Sequence, residues 1–333
     1  MSRRRWGALL GLALTLLFAA LAVYNLDLSQ VGTALARANY WLGFPAMLFT
    51  ALGYLVRTLR WRAILAPTKE IRVIRLFPVL VIGFAANNLL PVRMGEFVRA
   101  YLLGSQEEIS KSLSFATIVV ERVLDGLTLI GVLLGISIFI ALPTLGQQVV
   151  YFAALIFLGA TLALFVLLYH PTPFRRVLEA LLRWAPAPLA VRLDRMALSF
   201  IQGVQALRQR RRLPALAILS LAVWLLEAGS YWVLTWAFSF TLSPAERPLA
   251  ALLVLALANL GILIPSSPGY VGTFHFFAMS ALIAFGAERE LALSYAILSH
   301  ATQYLLITGL GVVFLWRANL SLTRLGNEAA PES

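Results

Sequence analysis

Long apolar runs separated by short basic stretches set the pattern of this chain. A spanning helix needs about 20 mostly apolar residues. Runs of that kind occupy 6–24, 41–62, 113–142, 149–169, 214–240 and 292–316, and each predicts a full span. Two further apolar regions, 76–104 and 249–286, are interrupted near the middle. The first breaks at Leu90-Pro91-Val92-Arg93-Met94-Gly95-Glu96, the second at Ile264-Pro265-Ser266-Ser267-Pro268-Gly269-Tyr270-Val271-Gly272. Proline removes a backbone donor and clashes with the preceding turn, and glycine relaxes the chain. Irregular backbone survives at membrane depth only where protein or a wet cavity satisfies it. Each interrupted region therefore reads as a pair of re-entrant half-helices. The expected fold class is an all-α polytopic membrane protein with six full spans and two broken re-entrant helix pairs.

Composition supports that reading. Of 333 residues, 60% are hydrophobic and 13% charged, against roughly 45–50% and about 25% in soluble domains. Mean hydropathy is +0.84. These values exclude a soluble globular enzyme, a disordered tail protein and a fibrous repeat. The chain has no cysteine, which excludes disulfides, thiolate chemistry and Cys-based metal sites. Its net charge is +12, yet the arginines sit between apolar runs rather than along one soluble face, so nucleic acid is not the expected partner.

Those arginines orient the spans by the positive-inside rule. With the N-terminus cytoplasmic and each broken region returning to its own side, segments 2–5, 57–75, 105–112, 170–213 and 317–333 hold 21 of the 27 Lys and Arg residues. The outer loops hold only Arg37, Arg247 and Arg289. A single crossing by 76–104 would turn the nine arginines of 170–213 outward. The expectation is thus a multi-pass protein of the cell (inner) membrane with both termini cytoplasmic. Arg3–Arg5 before an apolar run, with Ala20-Leu21-Ala22 after it, resemble a signal peptide, but the run is long for one and favours a retained span.

Within a single membrane domain spanning 1–333, the pattern separates a first unit (about 41–142), a linker (170–213), a second unit (about 214–316) and a tail (317–333). The linker carries two apolar sets at helical spacing, Phe174, Val177, Leu178, Leu181 and Leu182, then Leu193, Met196, Phe200, Val204 and Leu207. Arginines surround them, as in helices that lie on anionic membrane surfaces. The units echo each other: Ala86-Asn87-Asn88 before the first break resembles Ala258-Asn259-Leu260 before the second, and Ser114-Phe115-Ala116 matches Ser294-Tyr295-Ala296 180 positions on. Entry from opposite sides predicts an inverted repeat with a midplane site between discontinuous helices.

Charged residues at membrane depth carry the chemistry. Arg93, Glu96 and Arg99 recur every three residues along one helix face, and Glu121, Arg122 and Asp125 lie well inside the next span. An ionised side chain there costs at least about 2.5–3.5 kcal/mol, so six must pair. Two readings stay open. One is a self-satisfied ion cluster that fixes helix packing. The other is a polar cavity in which Arg93, Arg99 or Arg122 receives an anionic group by forked hydrogen bonds, while Glu96, Glu121 and Asp125 hold those arginines in position or receive an ammonium group. Asn87 and Asn88 stand at the lip of the first break. In the second unit, Ser266, Ser267, Gly269 and Tyr270 precede a new half-helix whose N-terminus suits a phosphate or carboxylate, or form a plain turn. His275, His300 and Tyr304 are secondary candidates, more often helix–helix hydrogen-bonding groups than proton relays. Glu227 stands alone in its span and needs a partner or a proton. Arg57, Arg60 and Arg62 read as surface arginines that snorkel at a span end.

No GxxxxGK[ST], HExxH, GxSxG or Asp-rich motif occurs, so neither catalysis nor a cofactor or metal is expected. The strings Gly83–Glu96, Glu121-Arg122-Val123-Leu124-Asp125-Gly126 and Pro265–Phe274 resemble those of the lysylphosphatidylglycerol synthase transmembrane region family, over about residues 6–316. The resemblance implies a flippase-like module without the cytosolic synthase domain that makes the lipid in bacterial multiple-peptide-resistance proteins. It implies translocation of an anionic or aminoacylated phospholipid, or of a polyprenyl-linked lipid. The alternative is a membrane-embedded partner that presents a lipid to a synthase or glycosyltransferase. The partner expected is a lipid with an anionic headgroup. A synthase or glycosyltransferase, and a second copy of the chain, stay open.

Overall fold

Helix ends follow local chemistry. Asp27 accepts a hydrogen bond from the Ser29 amide at 2.9 Å and starts a helix at Leu28, and the Ser110 hydroxyl accepts one from the Leu113 amide at the head of another. Each side chain satisfies an orphan amide of a first turn. The computed structural model describes residues 3–90, 94–142, 144–184, 186–204, 208–264, 267–321 and 325. Among them are thirteen α-helices and no strand: α1 (Arg3–Val23), α2 (Leu28–Arg37), α3 (Gly43–Leu65), α4 (Val73–Leu89), α5 (Gly95–Gln106), α6 (Lys111–Ile136), α7 (Thr144–Tyr169), α8 (Pro171–Leu182), α9 (Ala187–Val204), α10 (Leu213–Leu234), α11 (Glu246–Gly261), α12 (Thr273–Ile283) and α13 (Arg289–Arg317).

Four stretches, Tyr40–Leu65, Thr144–Tyr169, Leu213–Ala237 and Arg289–Arg317, are long and apolar enough to cross a membrane. A fifth exists if Gly11–Val23 and Leu28–Arg37, bent by 82°, count as one. The remaining predicted span, α6, has 26 residues but carries Lys111, Glu121, Arg122 and Asp125. The two interrupted regions are helix pairs, α4 with α5 and α11 with α12. At 1.5 Å per residue these helices are about 26, 18, 24 and 17 Å long, shorter than the ~30 Å hydrocarbon core. Glycine lets α4 and α5 fold back closely: a Cβ on Gly83 would overlap the Arg99 stem, and one on Gly95 would strike the Gly83 carbonyl.

Helices α3–α6 have 23, 17, 12 and 26 residues, and α10–α13 have 22, 16, 11 and 29 in the same order. Helices α3 and α10 cross antiparallel. Thr50 meets Ser230 at 3.2 Å, Arg57 meets Glu227 at 2.7 Å and Arg60 meets Ser220 at 3.0 Å, partner numbers falling as residue numbers rise. Helix α4 packs on α13, and α11 packs on α6. The linker forms α8 and α9. Phe174, Val177 and Trp184 are exposed, whereas the far end of α9 is buried on α6, where a Cβ on Gly203 would lie 2.7 Å from Ala116 Cβ. Leu207 lies outside the described residues.

Candidate functional site

Arginine planarity and carboxylate geometry organise the interior where α3, α5, α6 and α10 meet. Arg99 of α5 donates two parallel bonds, 3.1 and 3.0 Å, to Glu121 of α6. Arg60 of α3 donates to Asp125 at 2.7 Å and to the Ser220 hydroxyl at 3.0 Å, and approaches Glu121 at 3.8 Å. Arg57, one turn earlier, donates to Glu227 at 2.7 Å and faces Asp125 at 3.5 Å. Arg122 reaches Asp125, Glu121 and Glu96 at 3.4, 3.5 and 3.8 Å. Among the described residues the network holds four arginines and four acids and is neutral. Pairing offsets part of the desolvation cost of burying these charges.

One expectation is corrected here. Arg57 and Arg60 do not snorkel: they are 3% and 0% exposed, because α3 runs on to Leu65 and turns these side chains toward the acids of α6 and α10. Arg57 stacks over Trp224, 4.6 Å from its ring centre. Glu227, which needed a partner or a proton, has a partner in Arg57. Sequence spacing within one helix could not reveal these pairings, which join positions 170 apart for Arg57 with Glu227 and 65 apart for Arg60 with Asp125.

Two chambers adjoin this network. The larger, about 470 Å³, is walled by Phe97, Phe115, Ile118, Val123, Leu129, Ile156 and Phe157 and floored by Glu96, Arg122 and Asp125. The smaller, about 110 Å³, is polar and aromatic: Tyr54, Phe84, Tyr231, Tyr270 and Phe274 line it with Arg57, Glu227, Asn87, Asn88, His300, Gln303 and Tyr304. Arg122, Trp224, Asn259 and Ile262 line both, so the chambers share a wall. The pair is amphipathic, one compartment suited to hydrocarbon and the other to polar atoms.

The two breaks come together beside the small chamber. Tyr304 Oη donates to the Asn88 carbonyl at 3.5 Å, and a Cβ on Gly269 would lie 3.5 Å from that same oxygen. Asn88 Nδ2 donates to Thr308 at 3.0 Å, and Asn87 accepts from the Gly95 amide at 2.7 Å. Gly269 and Gly272, at φ 74° and 87°, supply left-handed turns that side-chain-bearing residues resist. The Ser267 amide donates to Thr15 of α1 at 2.7 Å and the Gly272 amide to His275 Nδ1 at 3.3 Å, so both amides are engaged within the chain. His275 and His300 rings lie 4.9 Å apart, and His300 to Tyr304 is 5.8 Å.

Of the residues singled out from the sequence, Asn87, Asn88, Arg122, Tyr270, His300 and Tyr304 line the small chamber, and Glu96, Arg122 and Asp125 the large one. Arg99 and Glu121 sit behind the wall, 1% and 0% exposed. His275 touches the site through His300, and Ser267 is tied to α1. Arg93 and Ser266 lie outside the described residues. Tyr54, Trp224 and Gln303 were not legible as site residues, because isolated polar or aromatic residues in apolar runs look like ordinary packing. A depth argument applied to every polar residue of 41–62 and 214–240 would have flagged Arg57 and Glu227 together.

A model of the family described as the lysylphosphatidylglycerol synthase TM region matches residues 8–311. Over 356 residues the chain is 26% identical to the glycosyltransferase AglD of Haloferax volcanii, covering 98% of this chain and 57% of that protein. It therefore spans little more than half the length of that relative. It is 28% identical over 283 residues to a UPF0104 membrane protein of Methanothermobacter thermautotrophicus, covering 77% of this chain and 79% of that one. A second UPF0104 membrane protein of the same organism is 25% identical over 317 residues, 91% of each chain. No solved structure matches.

Proposed function

Given that this chain belongs to the lysylphosphatidylglycerol synthase TM region family and is a multi-pass membrane protein, we propose that it moves an anionic or aminoacylated phospholipid, or a polyprenyl-linked lipid, between leaflets. The observation that carries the reading is the pair of chambers meeting at Arg122, Trp224, Asn259 and Ile262. In this reading the polar head occupies the small chamber while the tail lies along the apolar walls of the large one. It is not an enzyme but a carrier: Arg122 grips the head, and Glu96, Glu121 and Asp125 hold the guanidinium in place.

The equal order of α3–α6 and α10–α13, their antiparallel crossing, and the reciprocal packing of α4 on α13 and α11 on α6 support an inverted repeat of two four-helix units. The short helix pairs then serve as re-entrant halves and α6 as a full span whose charges face inward. Both termini are assigned to the cytoplasmic side of the inner membrane. Taking Arg57 and Arg60 into the interior lowers the 21 cations of that side to 19, against three outside, and the asymmetry stands.

Exchange of tail-labelled phospholipid between leaflets of proteoliposomes tests this. Wild type is expected to accelerate exchange, and Arg122→Ala to slow it at least about tenfold, the worth of one charge-assisted hydrogen bond. Equal rates for the two proteins would overturn it. The likeness to AglD favours a second reading, in which the chain presents a lipid to a glycosyltransferase. That reading expects a stable complex and no exchange by the isolated chain.

A further inference from the structure

The hydrogen-bonding capacity left over around the small chamber is one-sided. Among the described residues, the side chains lining it carry buried atoms without a hydrogen-bond partner at Arg57 Nε and Nη1, Arg122 Nε, Trp224 Nε1 and Gln303 Nε2, all donors. Trp224 and Arg57 are 4% and 3% exposed. Buried donors without acceptors are costly and are normally satisfied. Each acid is engaged by at least one donor or cation. Glu227 already takes a 2.7 Å bond from Arg57, Glu121 takes a bidentate pair from Arg99, and Glu96 accepts from Asn87. Asp125 Oδ2, the one such acceptor at the chambers, faces Arg122 at 3.4 Å and Arg57 at 3.5 Å. Arg122 is also the loosest cation of the network: its shortest ion-pair contact is 3.4 Å, and its side chain is 29% exposed at the shared wall.

We infer that the small chamber takes a phosphoryl group as a ligand rich in acceptors, and discriminates against a head bearing an ammonium. This rests on the lipid reading above and narrows it. The oxygens of a phosphate monoester or diester are acceptors of the kind that Arg122, Trp224 and Gln303 lack, and phosphate geometry matches a guanidinium fork. An ammonium has only donors to offer to a lining whose surplus is donors.

Displacement of tail-labelled phosphatidate from the full-length protein in phosphatidylcholine nanodiscs tests the inference without requiring transport. Unlabelled phosphatidate is expected to displace it at concentrations at least tenfold below lysylphosphatidylglycerol. Gln303→Leu and Trp224→Phe, which leave the ion pairs in place, should each weaken phosphatidate binding about tenfold. Gln303→Glu, nearly isosteric and checked by its melting temperature, should shift the preference toward the lysyl head. Equal or tighter binding of lysylphosphatidylglycerol, or unchanged affinity in all three variants, would overturn the assignment. Displacement by inorganic phosphate at the same concentrations as phosphatidate would reassign the site to free phosphate and overturn its lipid part. Phosphatidate-selective binding without leaflet exchange would sink translocation while leaving the head chemistry standing.

Discussion

Arg99 and Glu121 are nearly inaccessible, and their forked pair is joined by Trp61, whose ring centre lies 4.2 Å from the Arg99 guanidinium. Removing one partner strands a buried charge, whereas removing both leaves an apolar contact. Arg99→Ala is therefore expected to cost about 3–5 kcal/mol, read as a lower unfolding midpoint in mixed micelles. Arg99→Met with Glu121→Leu should restore most of that loss. Glu107 shows the same chemistry in the turn after α5. Burial pushes its carboxyl up, but hydrogen bonds from Lys69 and Arg75 more than offset this and hold it below the ordinary 4.5. A carboxyl whose value is lowered by folding stabilises above its unfolded value and loses that contribution as pH falls through the folded one. The melting temperature of Glu107→Gln should thus lie below wild type at pH 7, with the gap unchanged down to about pH 5 and closing below 4.5. Both cations are partly exposed, at 41% and 57%, so the gap is expected to be small.

Close helix approach depends on where a side chain has been left out. Gly83 and Gly95 bring α4 onto α5 and so place Arg99 beside Glu121, while Gly131 of α6 has nothing within 4 Å of a Cβ. Gly83→Ala should destabilise by about 1–3 kcal/mol through overpacking, whereas Gly131→Ala should be neutral or stabilising by up to about 1 kcal/mol through helix propensity. Thermal unfolding of the two variants side by side checks the contrast. The interrupted regions were legible as breaks because Pro and Gly announce themselves. The helices that each short helix packs against were not, because they depend on which neighbour the glycine face meets. Likewise the straight run at 6–24 gave no warning that its helix would bend by 82° into α2.

For the assembled molecule, the proposed inverted repeat would make the antiparallel crossing of α3 and α10 the pivot about which its two units rock, and α4 on α13 a contact that such rocking must change. The cysteine-free sequence permits a clean comparison. A cross-link between Thr50→Cys and Ser230→Cys, whose hydroxyls are 3.2 Å apart, should leave lipid exchange intact. One between Phe77→Cys and Phe314→Cys, whose rings pack 5.8 Å apart where α4 meets α13, should block it. Block by the first and indifference to the second would contradict rocking about this axis.

Apolar run length and the placement of proline, glycine and arginine determined that this is an all-helical membrane protein, where its helices are interrupted, and that charges lie at depth in α5 and α6. These properties are local: each depends on a few neighbouring residues and on the cost of exposing polar groups to lipid. Only the tertiary structure decided which charges pair, that Arg57 and Arg60 belong to the interior, and that both breaks converge beside one cavity. Pairing energy depends on distance between helices that are 60 to 170 residues apart in the chain, and no periodicity along a single helix encodes that distance.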